Sequence, residues 1–364
     1  MLVSCNRDGT AEVSEICAVG CAASELRCND INPSNNLAQY LDMAADELDV
    51  DLGSNATINT TDGTIVADGN PVPVRTVTMA QTSAPSVRVF VARSLTAVNV
   101  TITGSHALAI VSNGDLKIDG AFAASAQGSS SGAGGFNDGT CTGSNGEVSN
   151  GAVSGAGGGG FGLGGGRGGS AFSDNGSATG GAAGSPTGNP TLIPLRGGCD
   201  SGAFINAKGS GGGAIQLVSR TRIAVSGTVA ANGSSRVGGG SGGGILLEAP
   251  VVEVSGGVVA NGGAGGGGCL LPLSGEDGRL DAMPASAGIG CAGSGGVDGG
   301  NGGSGNAAAR NGASINRVGT GFNNAYAGYG GGGVGRIRVN TVSGGLHVTG
   351  LFSPNPSTGS IAIR

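Results

Sequence analysis

The groups in this chain that could do covalent or metal chemistry are few: eight cysteines, two histidines and scattered carboxylates. The cysteine count is even, and the sequence holds no C-x-x-C and no H-x-x-x-H pair. Thiols so arranged read as disulfides, which belong to an oxidising compartment. Cys5, Cys17, Cys21 and Cys28 crowd the start of the chain. Cys141 and Cys199 share one long glycine-rich stretch, and Cys269 and Cys291 share another. The spacing predicts bridges Cys141–Cys199 and Cys269–Cys291. The first four are expected to pair among themselves, as Cys5–Cys21 and Cys17–Cys28. Zinc on those four is the alternative, although eleven, three and six intervening residues match no zinc finger.

No catalytic residue, no cofactor-binding residue and no resident metal is expected. His106 and His347 each fall within an alternating strand pattern and read as surface or rim residues. G-x-G-x-x-G occurs by composition alone, without a βαβ context, and neither a P-loop nor H-E-x-x-H is present. The acids Asp46, Glu47, Glu276, Asp277 and Asp281 lack the ligand spacing of a calcium loop. Weak Ca²⁺ binding at Glu276-Asp277-Gly278 is the alternative to a solvated turn. A polysaccharide-cleaving enzyme would need acids and a base on one strand face. The charged residues of the strand copies are Lys117, Arg220, Arg222, Glu248, Glu253 and Arg338, and all are expected to point outward into solvent.

The elements that must carry these residues are repeats. LKIDGAF (116–122), IAVSGTV (223–229), VEVSGGV (252–258) and LHVTGLF (346–352) align without gaps. Each offers an alternating apolar pair: Leu116/Ile118, Ile223/Val225, Val252/Val254 and Leu346/Val348. A glycine follows at 120, 227, 256 or 350, and then Phe122, Val229, Val258 or Phe352 returns inward. Val98, Val100 and Ile102 ahead of Gly104 read as a partial earlier copy. Period-two alternation means strands with one buried face. The repeated glycine implies either a positive φ or a close backbone approach. Copies too short to hold a crossover helix predict an all-β chain, as successive coils of a parallel β-helix. An antiparallel sandwich is the alternative.

Glycine supplies 80 of 364 residues, and aromatic residues only 3%, with no Trp. The core must then be thin and aliphatic, as in solenoids. A hydrophobic share of 38% with 12% charged residues excludes wholesale disorder. The glycine-rich stretches interrupt the copies unequally, at 126–213, 233–244 and 263–336, as loops leaving one side of a solenoid would. From Asp298 the sequence runs Asp-Gly-Gly-Asn-Gly-Gly-Ser-Gly, a period of three. A left-handed helix with three residues per turn, polyglycine-II-like, has that period. Residues 157–170 (GGGGFGLGGGRGGS) and 295–305 are expected to be extended and bonded to neighbouring glycine segments. Flexible loops are the alternative. The net charge of −6 and a single Arg-Gly-Gly at 167–169 argue against nucleic acid as a partner. No apolar run is long enough to span a membrane.

The organisation expected is a disulfide module at 1–36, a connecting segment at 37–85 with one short helix before strands at 56–66, and coils at 86–364. The tracts CAVGCAASELRCNDINPSN (17–35), GGGAIQL (211–217) and GRIRV (335–339) resemble a group of glycine-rich secreted or lipid-anchored surface proteins abundant in myxobacteria. The resemblance implies an extracellular or cell-surface location and no established activity. No secretion signal is read after Met1, so a signal or anchor is expected upstream. Three roles follow: an adhesive or structural surface protein presenting glycine-rich loops, a carbohydrate-active β-helix enzyme, or a fibre-forming subunit. The expected partners are cell-surface glycans, other surface proteins, or further copies joined through coil ends.

Overall fold

The chain is nearly all β, with 34% strand against 3% helix. This computed structural model describes residues 2–5, 11–15, 19–20, 28–291, 293, 295–320 and 323–364, with only the backbone at 2–5 and 11–15. Three mostly parallel sheets take strands from the chain in rotation. The broad sheet holds Val87–Ala92, Ala107–Ser112, Ala214–Ser219, Gly244–Glu248 and Arg336–Thr341. The middle sheet holds Ser94–Ala97, Leu116–Ile118, Arg222–Val225, Val251–Val254 and Leu346–Val348. The return sheet holds Val100–Thr103, Ala121–Ala123, Thr228–Ala230, Gly257–Val259 and Leu351–Ser353. Asp49–Asp51 and Ala56–Asn59 already pair in parallel with Ser94–Ala97 and Val100–Thr103, ahead of the expected start at 86.

Pairing reproduces the sequence alignment residue for residue. Leu116 faces Ile223, Ile223 faces Val252, and Val252 faces Leu346. Phe122, Val229, Val258 and Phe352 form a second column. One hydrophobic interior draws on all three sheets, with Val225, Val229, Val252 and Val258 almost wholly buried. The partial copy is the exception. Leu95 and Ala97, not Val100 and Ile102, face Leu116 and Ile118, while Val100 faces Phe122. The alternation ahead of Gly104 belongs to a return strand, Val100–Thr103, and not to a middle one.

The repeated glycines are explained by close approach. A Cβ on Gly227, Gly256 or Gly350 would fall into the carbonyl oxygen of Gly120, Gly227 or Gly256, one circuit earlier. Of the glycines read in the copies, only Gly104, just after Val100–Thr103, has a positive φ, at +109°.

The broad sheet is buried on both faces. Its outer face carries Val87, Val89, Ala107, Ala109, Ala214 and Leu246, covered by Ile31, Leu37 and Leu41 and by Phe161, Leu192 and Leu195. Leu37 precedes the expected short helix, Ala38–Met43. The expected boundary at 36 lies within this cover. Arg220 and Arg364 both pair with Asp30 and Asp42, and Ile31 bridges Ile363, so the cover also holds the last strand segment.

Burial under this cover corrects one expectation. Glu248 is 2% exposed, not solvated. Its carboxylate accepts bonds from Gln216 Nε2 (2.6 Å), Asn340 Nδ2 (2.9 Å) and Ser34 Oγ (2.7 Å). Arg222 pairs with Asp115 and Glu253 on the middle sheet, and Lys117 stays exposed.

Candidate binding groove where the glycine-rich excursions meet

All three excursions, two long and one short, leave the return sheet and re-enter at the broad sheet, so the topology gathers them at one corner. Their backbones are extended and bonded with a period of three. Val297, Gly300 and Gly303 donate to the carbonyls of Tyr326, Tyr329 and Gly332. The same three accept from Gly268, Gly265 and Gly262. Gly296, Gly299 and Gly302 donate instead to Cys291, Gly288 and Ala285. Asp298 and Asn301 accept from Ala313 and Arg310. Each third of the segment thus faces a different neighbour.

Residues 157–170 behave alike. Gly158 donates to Gly166, Gly159 to Gly239, Gly160 to Cys141, Gly166 to Gly331 and Gly169 to Gly328. This arrangement satisfies backbone groups that have no strand partner, which buried chain requires. It also explains the composition. A Cβ at Gly155, Gly158, Gly166 or Gly169 would fall into the carbonyl of Gly328, Gly331, Arg310 or Ala313.

Disulfides tie the layer. Cys141–Cys199 and Cys269–Cys291 are bridged, the pairs the spacing predicts, with Cα–Cα distances of 5.8 and 5.2 Å. Beside the first, Asp138 accepts from Thr140, Thr187 and Arg196. Burial pushes its pKa up, but those hydroxyls, the Cys141 N–H and the arginine outweigh burial and hold it well below the usual range. Cys28 is disulfide-bonded. The predicted Cys5–Cys21 and Cys17–Cys28 pairings lie outside the described residues.

Reverse turns cap the excursions. Phe204 bridges Ala207 across Ile205 and Asn206, both at positive φ, and Ser235 bridges Gly239. Between these turns and the 270s lies a groove of about 440 Å³ whose walls come from all three excursions. Phe204, Val237 and Leu271 make it apolar. Phe204 meets buried Tyr329 edge-on at 6.1 Å, which fixes the floor. Its lips expose Ile205 (76%) and Leu271 (78%), with Leu270 and Leu273 beside them. Such a rim is costly to leave in water.

Four polar residues, Ser235, Arg236, Ser274 and Asp277, enter this apolar setting. Ser235 is 6% exposed, and its Oγ has no hydrogen-bond partner among the described residues. Its N–H donates to Asp277 Oδ1 at 2.6 Å. Arg236 stands exposed at the edge.

The other acids singled out in the sequence are spread apart. Glu276 accepts from the Ser286 N–H and pairs with Arg279, so it turns away from Asp277. The Ser286 N–H, with Arg279 adding to it, lowers its pKa. Asp281 also engages Arg279, and Glu47 engages Arg75. His106 Nδ1 lies 2.8 Å from the Thr60 carbonyl, and His347 is exposed on the last circuit. Among the described residues, no three His, Cys, Asp or Glu side chains converge as metal ligands, and no helix is long and apolar enough to cross a membrane. The groove left no local signal in the sequence, since its walls lie far apart along the chain. No protein-family model, curated protein or solved structure matches this chain.

Proposed function

We propose that this chain is a non-catalytic extracellular surface protein that docks a partner protein in the groove. In this reading the three sheets form a parallel β-helix, and the excursions form a polyglycine-II-like slab that holds the groove rigid. The rotation of strands through three sheets around one interior supports the first part. The period-three bonding supports the second. Two disulfides fit an oxidising compartment, in line with the resemblance to glycine-rich surface proteins.

The observation that carries the docking role is the groove itself: an apolar concavity with exposed aliphatic lips and a buried Ser235 hydroxyl that has no partner among the described residues. Such sites take an apolar anchor and satisfy one or two polar groups. Aliphatic side chains outnumber aromatic platforms here, which favours a protein side chain over a sugar ring. Arg236 at the edge favours an acidic neighbour to that anchor.

The test is binding of the purified chain to whole cells and to a glycan array, with Leu271→Asp in parallel. The reading expects cell binding that protease treatment of the cells abolishes. Leu271→Asp should weaken it at least tenfold at an unchanged melting temperature. Glycan binding indifferent to Leu271→Asp would overturn it.

A further inference from the structure

A second cavity, of about 300 Å³, opens between residues 162–163, residues 305–306 and the last strands of the chain. Leu163, Val334 and Ile337 give it apolar walls, Asn306 and Asn355 stand at its exposed rim, and Arg336 lines it.

Arg336 is unusual in its partners. Its Nε and Nη2 donate to the Thr187 carbonyl, at 3.1 and 3.0 Å, and Nη2 also reaches the Phe161 carbonyl at 3.4 Å. Its guanidinium lies over the Phe161 ring at 5.6 Å, and that of Arg196 lies over the same ring at 5.5 Å. Arg196 has a carboxylate, Asp138, at 3.0 Å. Arg336 has none among the described residues, and its Nη1 donates to no described group. Arg196 also lies over the Phe136 ring, at 4.9 Å, so of the two cations it is Arg336 that lacks both a second ring and a carboxylate among the described residues. Burial and the nearby Arg196 charge both push the Arg336 pKa down, the mark of a cation short of a counter-charge.

We propose that this cavity binds a hexuronate, its carboxylate on Arg336 and its ring between the apolar walls and the rim amides. With Nε and Nη2 engaged by the Thr187 and Phe161 carbonyls, Nη1 is the donor left for a carboxylate, in a charge-assisted bond. Apolar walls disfavour a fully hydrated inorganic anion. The rim amides suit ring hydroxyls, and the volume falls within the range of small-molecule sites. The proposal is independent of the docking groove, which shares none of these residues.

The test is calorimetric titration of the full chain with galacturonate, glucuronate, galactose and inorganic phosphate. One or both uronates should bind saturably, and galactose and phosphate at least tenfold more weakly. Arg336→Gln should weaken uronate binding at least tenfold. Should that variant misfold, Asn355→Trp, at an exposed position, should block the cavity with a similar loss. Uronate binding unaffected by Asn355→Trp, phosphate binding as tightly as uronate, or no saturable uronate binding would overturn the assignment.

Discussion

At Gly158 there is no room for a β-carbon, because the carbonyl of Gly331 occupies its place. Gly164, in the same run, is different: a Cβ there would meet the Gly184 oxygen at 3.4 Å and Pro186 Cδ at 3.6 Å, ordinary contacts. Neither position has a positive φ. In a flexible loop, alanine at either site would be neutral or stabilising by ~0.4–1 kcal/mol, through the unfolded chain. In the packed layer the two diverge. Gly158→Ala should cost about 1–3 kcal/mol, by forcing backbones apart. Gly164→Ala should stay within about 0.5 kcal/mol of the parent. Chemical denaturation of the pair checks this, and equal effects would remove the steric reason for the glycines. A bare count of 80 glycines does not separate these cases. The distinction depends on which neighbour lies opposite, and only the assembled layer supplies that.

At the scale of the strand, alternation was legible and tertiary cover was not. Leu116/Ile118 and their counterparts alternate in sequence because one face of each short strand looks inward, and their pairing follows that alignment. Val225 is 1% exposed in the middle of this column. Val225→Asp should therefore cost several kcal/mol, roughly the penalty of an unpaired buried carboxylate, seen as a large drop in melting temperature. An unchanged melting temperature would refute the register. Glu248 misled for the opposite reason. It sits on a strand whose outer face would be wet if residues 31–44 did not cover it. Nothing local marks that cover. Glu248→Leu should destabilise by about 2–4 kcal/mol, because Gln216, Asn340 and Ser34 would lose their common acceptor.

Across the whole molecule, charge pairs tie distant segments, and this sets a pH response. Asp30, Asp115 and Asp138 are all held below the ordinary carboxylate range. Burial opposes this in each, but hydrogen bonds from arginines and hydroxyls outweigh it. A lowered folded pKa contributes stability that is complete above the unfolded value of about 4 and is lost as pH falls through the folded values. The melting temperature should hold from about pH 7 to about pH 5 and decline steadily below about pH 4. A flat profile to about pH 2 would show that these pairs add little. The groove and the Arg336 cavity belong to this scale too. Each is assembled from excursions far apart in the chain, so no stretch of sequence announces either.

Both sites depend on the glycine-rich excursions being ordered, and amide hydrogen exchange tests that most directly. The backbone N–H groups of Gly159, Gly166 and Gly169 are each bonded to another segment, and that of Gly158 to Gly166 across the turn of its own. They should exchange as slowly as those of Ile223 and Val225 in the middle sheet. Exchange at unprotected rates in these glycines, with Ile223 and Val225 still protected, would mean that the excursions are flexible linkers and hold no preformed site.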